Sequence, residues 1–220
     1  MKKSVLFLTI CLLCSICTFG QTGEVIYSIS GNDIVTKSKF IDSFYIDNST
    51  SLTPYVHKET VTLIPSCSYG VFTLRLSKFN GYEGEPGICN VIEILRNGTQ
   101  ILQLANSNGF AKISSYINTE SNDYVFVALS NDTYALIFTE WIYSSQPSMT
   151  TIILIHKEQA KLVYNKPMFI NSITHQTGLL NMILQSNTSE YVGDSAGNSI
   201  LTTSPDIHTL WWDGSVLKFQ

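Results

Sequence analysis

The chain has 220 residues, 13 Lys and Arg against 17 Asp and Glu, a net charge of −4, and only 14% charged side chains. An acidic chain with scattered basic residues argues against nucleic acid or an anionic membrane surface as partner, because phosphate contacts need clustered Lys and Arg. Low charge with plentiful Asn, Ser and Thr argues against a cytosolic helical protein and for an extracytoplasmic β-protein.

Lys2 and Lys3 precede an apolar run over 5–17, broken only by Thr9 and Ser15, and Thr18-Phe19-Gly20 follows. This is the order of a secretory signal peptide over 1–20, with cleavage expected before Gln21. The run is shorter than the roughly 20 residues of a membrane span. No second apolar stretch of spanning length follows, and neither Cys14 nor Cys17 is preceded by the small residue that lipoprotein processing uses. A free product, secreted or periplasmic, is expected. Loss of 1–20 leaves 11 basic and 17 acidic side chains, a net charge of −6. The mature chain of about 200 residues suits one domain, read as a leading β segment over 21–59 and a repeat-built β domain over 60–220.

Strand signals dominate that domain. Short runs rich in β-branched and aromatic residues occur at 71–76, 91–95, 101–104, 124–129, 134–139, 151–156, 161–164 and 216–219. Asn97-Gly98 and Asp213-Gly214 mark hairpins, since tight hairpin turns need positive φ. Only 175–185 reads as a possible helical turn. Three segments share an order of tyrosine, strand, proline loop and hairpin. Their tyrosines are Tyr69, Tyr134 and Tyr191, and their prolines Pro86, Pro147 and Pro205, spaced 61 and 58 apart. The pattern predicts an all-β fold of antiparallel meanders in about three repeats of ~60 residues. A small or incomplete β-propeller is one such architecture, and a β-sandwich is the alternative.

Cys11, Cys14 and Cys17 leave with the leader, so Cys67 and Cys89 remain as an even pair, and an oxidising compartment predicts one disulfide between them. Asn48, Asn97, Asn131 and Asn187 begin N-x-S/T sequons, acceptors for glycosylation if the host is eukaryotic. The histidines, His57, His156, His175 and His208, show no metal-ligand spacing, and no metal or other cofactor is expected. Glu83 and Glu85 in a Gly-rich loop, and Asp47, Asp123 and Asp132 near turns, read as solvated loop charges, with no pair singled out for acid–base chemistry.

Gly193-Asp194-Ser195-Ala196-Gly197 matches G-x-S-x-G. These five residues resemble the nucleophile elbow of the hormone-sensitive-lipase family, which implies a secreted hydrolase with Ser195 as nucleophile. Beyond them the family pattern stops. The Ser/Thr-rich stretch after Gly197 ends in Pro205 where a helix should begin, no Gly-rich oxyanion loop precedes it, and only Asp206 and His208 follow.

Aromatic residues are the better candidates for binding. Trp211 and Trp212 are adjacent on a strand, so their rings take opposite faces. Tyr82, Trp141 and Tyr143 lie in or beside proline loops, where exposed aromatics anchor sugars and proteins. The reading favoured by the sequence is a non-enzymatic extracytoplasmic binding protein with a protein or glycan partner. The alternatives are the Ser195 hydrolase and a self-associating coat or matrix component.

Overall fold

The computed structural model describes residues 22–42, 55–80, 88–113, 123–140, 149–186, 191–193, 199–201 and 206–220. The chain is all-β, as its pattern predicts. Among the described residues the only helical element is one 3-10 turn at Ser38–Phe40, and no helix is long and apolar enough to cross a membrane.

The leading segment contributes β1 (Glu24–Val25), β2 (Tyr27–Ser30) and β3 (Asp33–Thr36). A first meander follows with β4 (Tyr55–Ile64), β5 (Phe72–Phe79), β6 (Cys89–Arg96) and β7 (Thr99–Ala111). A second has β8 (Val125–Ser130), β9 (Thr133–Glu140), β10 (Met149–His156) and β11 (Gln159–Gln176). The last strands are β12 (Leu179–Ser186), β13 (Tyr191–Gly193), β14 (Ser199–Leu201), β15 (Ile207–Trp212) and β16 (Leu217–Phe219).

Twelve of these strands form one sheet in the order β1-β16-β15-β12-β11-β10-β9-β7-β6-β5-β4, with β8 beside β9. Two long strands carry the pairing from one meander to the next. Strand β7 pairs with β6 as far as Phe110, and its end, Phe110 and Ala111, also pairs with β9. Likewise β11 pairs with β10 up to Pro167 and with β12 from Met168 onward. Hydrogen bonding therefore runs through all the meanders, whereas the blades of a propeller are separate sheets.

Side-chain alternation decides the layering. Along β9, Ala135 and Ile137 enter one core, while Leu136 and Phe138 enter another. Along β10, Ile152 and Leu154 join the first core and Ile153 and Ile155 the second. The second core also takes Leu74, Leu76, Ile92 and Ile94 from β5 and β6. The first takes Leu180, Met182, Leu184, Leu210 and Leu217 from β12, β15 and β16. The middle meander is thus buried on both faces, and every residue of β10 is buried. Such a strand reads as a continuous apolar run, as 151–156 does.

The hairpins stand where turn chemistry places them. Asn97 and Lys157 both hold positive φ, near 50°, at the starts of the β6–β7 and β10–β11 turns. The Asp213-Gly214 hairpin is a wider turn, closed by Asp213 Oδ1 accepting from the N–H of Ser215 and of Val216, each at 2.9 Å. At 175–185 the chain is strand, not helix. It closes the β11–β12 hairpin at Gly178, and Leu180, Met182 and Leu184 are buried while Asn181 and Ile183 are exposed, the period of two of a half-buried strand.

Candidate functional site

Trp211 and Trp212 divide between faces, as strand geometry requires. Trp212 is 7% exposed and sits in the core. Trp211 lies on the outer face with its ring over Gly23, so close that a Cβ on Gly23 would clash with the ring. Glycine is what allows the ring to close that corner. Segment 1–20, Asn48, Tyr82, Trp141, Tyr143, Asn187 and Ser195 with most of its motif lie outside the described residues. Of the remaining sequons, Asn131 is exposed in the β8–β9 turn. The Asn97 side chain is engaged: its Oδ1 accepts from the Val71 N–H at 2.9 Å, and its amide packs against Gly70.

The disulfide expected between Cys67 and Cys89 is absent, and both thiols are free. Register explains the correction. Cys67 sits in the β4–β5 turn, donating from Sγ to the Gly70 carbonyl. That turn abuts the far end of β6, where Arg96 Nε donates to the Tyr69 carbonyl and the Asn97 N–H to the Val71 carbonyl. Cys89 begins β6, seven residues earlier, about 23 Å along a strand. A disulfide requires Cα atoms within about 7 Å. Cys89 is fully buried, and burial pushes its thiol up to about 12. A thiol reagent is therefore expected to label Cys67 in the native protein and Cys89 only after unfolding, with native mass unchanged by reduction. A native protein that gains mass on reduction would overturn this arrangement.

A polar cluster lies where β7, β9, β10 and β11 meet. Glu140, the last residue of β9, is 1% exposed. Its Oε1 accepts from Thr151 Oγ1 at 2.5 Å and from Asn165 Nδ2 at 2.7 Å, and its Oε2 accepts from Asn106 Nδ2 at 2.6 Å. Thr151 and Asn165 face each other across β10 and β11, and Asn165 Nδ2 also reaches Thr151 Oγ1 at 2.8 Å. Asn90 of β6 extends the network to the Asn106 carbonyl. Burial pushes the Glu140 carboxyl up to about 7, against the pull of the three hydrogen bonds, and Asp42 adds to the rise. Sequence reasoning missed this carboxylate. Its signals were an acidic residue closing an apolar strand and the Thr150-Thr151 pair inside the most buried one.

His156 is also buried, with Nδ1 and Thr133 Oγ1 at 2.9 Å. Burial and Lys157 lower its pKa. No group of three His, Cys, Asp or Glu side chains converges among the described residues in a way that would hold a metal.

The outer face of β12 and β15 is the opposite kind of surface. Asn181 pairs with Trp211, Ile183 with Thr209, and Gln185 with Ile207. Ile183 is 38% and Ile207 57% exposed, and the pairs carry no charge. Lys218, beside Trp211 on β16, is held by Asp213 at 2.8 Å. Comparison with protein-family models, with curated proteins and with solved structures finds no match to this chain.

Proposed function

We propose that this chain is an extracytoplasmic, non-enzymatic interaction protein that docks a protein partner on the outer face of β12 and β15. The observation that carries the reading is the exposure of Ile183 and Ile207 on a sheet face whose cross-strand neighbours are uncharged. Depletion of charge at the centre of a patch marks protein interfaces. On this face the Trp211 ring is committed to Gly23, and the half-buried Phe169 of β11, paired with Gln185, adds a further apolar side chain to the patch. The signal-peptide pattern of 1–20 supports a partner outside the cytoplasm.

The test compares the immobilised protein with its Ile183→Asp/Ile207→Asp variant in capture from extracellular material, quantified by mass spectrometry. At least one protein should be retained by the wild type and lost about tenfold or more in the variant, with near-UV circular dichroism unchanged. Interface anchors typically cost more than about 1 kcal/mol each when removed. An identical captured set in both, or binding to a glycan array with no protein retained, would reject the reading.

A further inference from the structure

We propose that Glu140 is a proton switch, in which uptake of one proton from solvent turns over the side-chain amide of Asn165 and its release turns the amide back. In the arrangement observed, every neighbour donates to the carboxylate: Thr151 and Asn165 at Oε1, Asn106 at Oε2. A neutral carboxyl has an O–H to give; the two amide groups offer it only donors, and the Thr151 hydroxyl, which already accepts from Asn165 Nδ2, can accept it only by turning its own O–H away from Oε1 and towards another acceptor. The acceptor it needs is on the same Asn165 amide. Asn165 is fully buried, and its Oδ1 has no hydrogen-bond partner. Half a turn about the terminal side-chain bond brings Oδ1 to the place of Nδ2, 2.7 Å from Glu140 Oε1. The two orientations have nearly the same shape, so the surrounding core need not move.

The proton balance is simple. One O–H bond of hydronium breaks and water is left behind, while the new O–H bond forms on Oε1 and donates to Asn165 Oδ1; release reverses both. The strands around Glu140 present neutral groups: Asn106 from β7, Thr151 from β10, Asn165 from β11, and Asn90 from β6 behind Asn106. Asp42 approaches from the segment after the 3-10 turn, its N–H donating to the Asn165 carbonyl at 2.9 Å, and its charge favours the neutral form of Glu140. Lys166 follows Asn165 on the other face of β11, and Lys112 lies against Asp123. Burial holds the carboxyl near 7, so both forms are populated around neutrality. The ionised form fastens three strands with charge-assisted hydrogen bonds, and the neutral form replaces them with weaker ones.

Carbon- and nitrogen-labelled wild-type protein tests this by NMR between pH 4 and 9. The Glu140 carboxyl carbon should titrate with a midpoint near 7, and the Asn165 side-chain NH2 signals should move with the same midpoint. In Glu140→Gln, whose NH2 needs the same acceptor, those signals should stay at their low-pH position. A Glu140 midpoint in the ordinary carboxylate range, a carboxyl silent across the range, or Asn165 signals that do not follow Glu140 would each overturn the switch. The decisive titration is on the wild type, so it stands even if the variant does not fold.

Discussion

Raising the pH from 5 to 8 is expected to cost this protein about 2–3 kcal/mol of stability through Glu140 alone. The group titrates near 7 when folded, against an ordinary value of 4.5. A carboxyl with a raised folded pKa contributes stability that is fully present below 4.5 and lost as pH rises through about 7. The shift has this sign because folding removes Glu140 from water, and three hydrogen bonds do not replace the lost hydration of a charge. His156 acts in the other direction. Its lowered pKa means that the unfolded chain gains a proton more readily, so its contribution is lost as pH falls through 6.5 and below. The difference between the wild type and Glu140→Gln cancels the histidine and every other titrating group. Urea unfolding of both proteins at several pH values measures it. The wild type should lose stability relative to the variant as pH rises, with equal denaturant slopes. Parallel stability curves would mean that Glu140 titrates as an ordinary carboxylate.

The parts of this molecule legible in the sequence are those written in local pattern. Alternation and β-branched runs gave the strands, and Asn97-Gly98 gave a turn whose positive φ is present. The adjacent Trp211 and Trp212 gave two faces from one dipeptide. The parts not legible depend on which strand lies beside which. Two cysteines 22 positions apart looked like a disulfide, and only the register of β5 against β6 shows that they occupy opposite ends of a strand. Strand β4 escaped notice because His57, Lys58 and Glu59 break its pattern, and at the end of the sheet path its first six residues are exposed. Glu140 gathers donors from three strands, separated from it by 11 to 34 positions. No spacing rule links them, and a carboxylate next to a proline loop reads as solvated until the layers on both sides of β9 are known.

Those layers make the second large effect specific. Phe138→Ala is expected to cost about 3–5 kcal/mol and Ile137→Ala about 2–5 kcal/mol, the range for truncating fully buried core residues. These are neighbours in one strand. In a two-layer sandwich with one solvated face, one of the two would be nearly neutral. Here Ile137 packs in the core shared with β12 and β15, while Phe138 packs in the core shared with β5 and β6, with the rings of Phe110 and Tyr124 centred 5.5 and 5.7 Å away. Single domains typically have only 5–15 kcal/mol of stability, so a double-mutant cycle should use the milder Ile137→Val and Phe138→Leu. Their costs should add within about 0.5 kcal/mol, since the side chains share no core. Leu136→Val with Phe138→Leu should not add, because both face the same core and each relaxes into space left by the other. Chemical denaturation of the three single and two double variants decides it. A negligible cost at either Ile137 or Phe138, or strong coupling between them, would dissolve the middle layer and place one face of β9 against solvent.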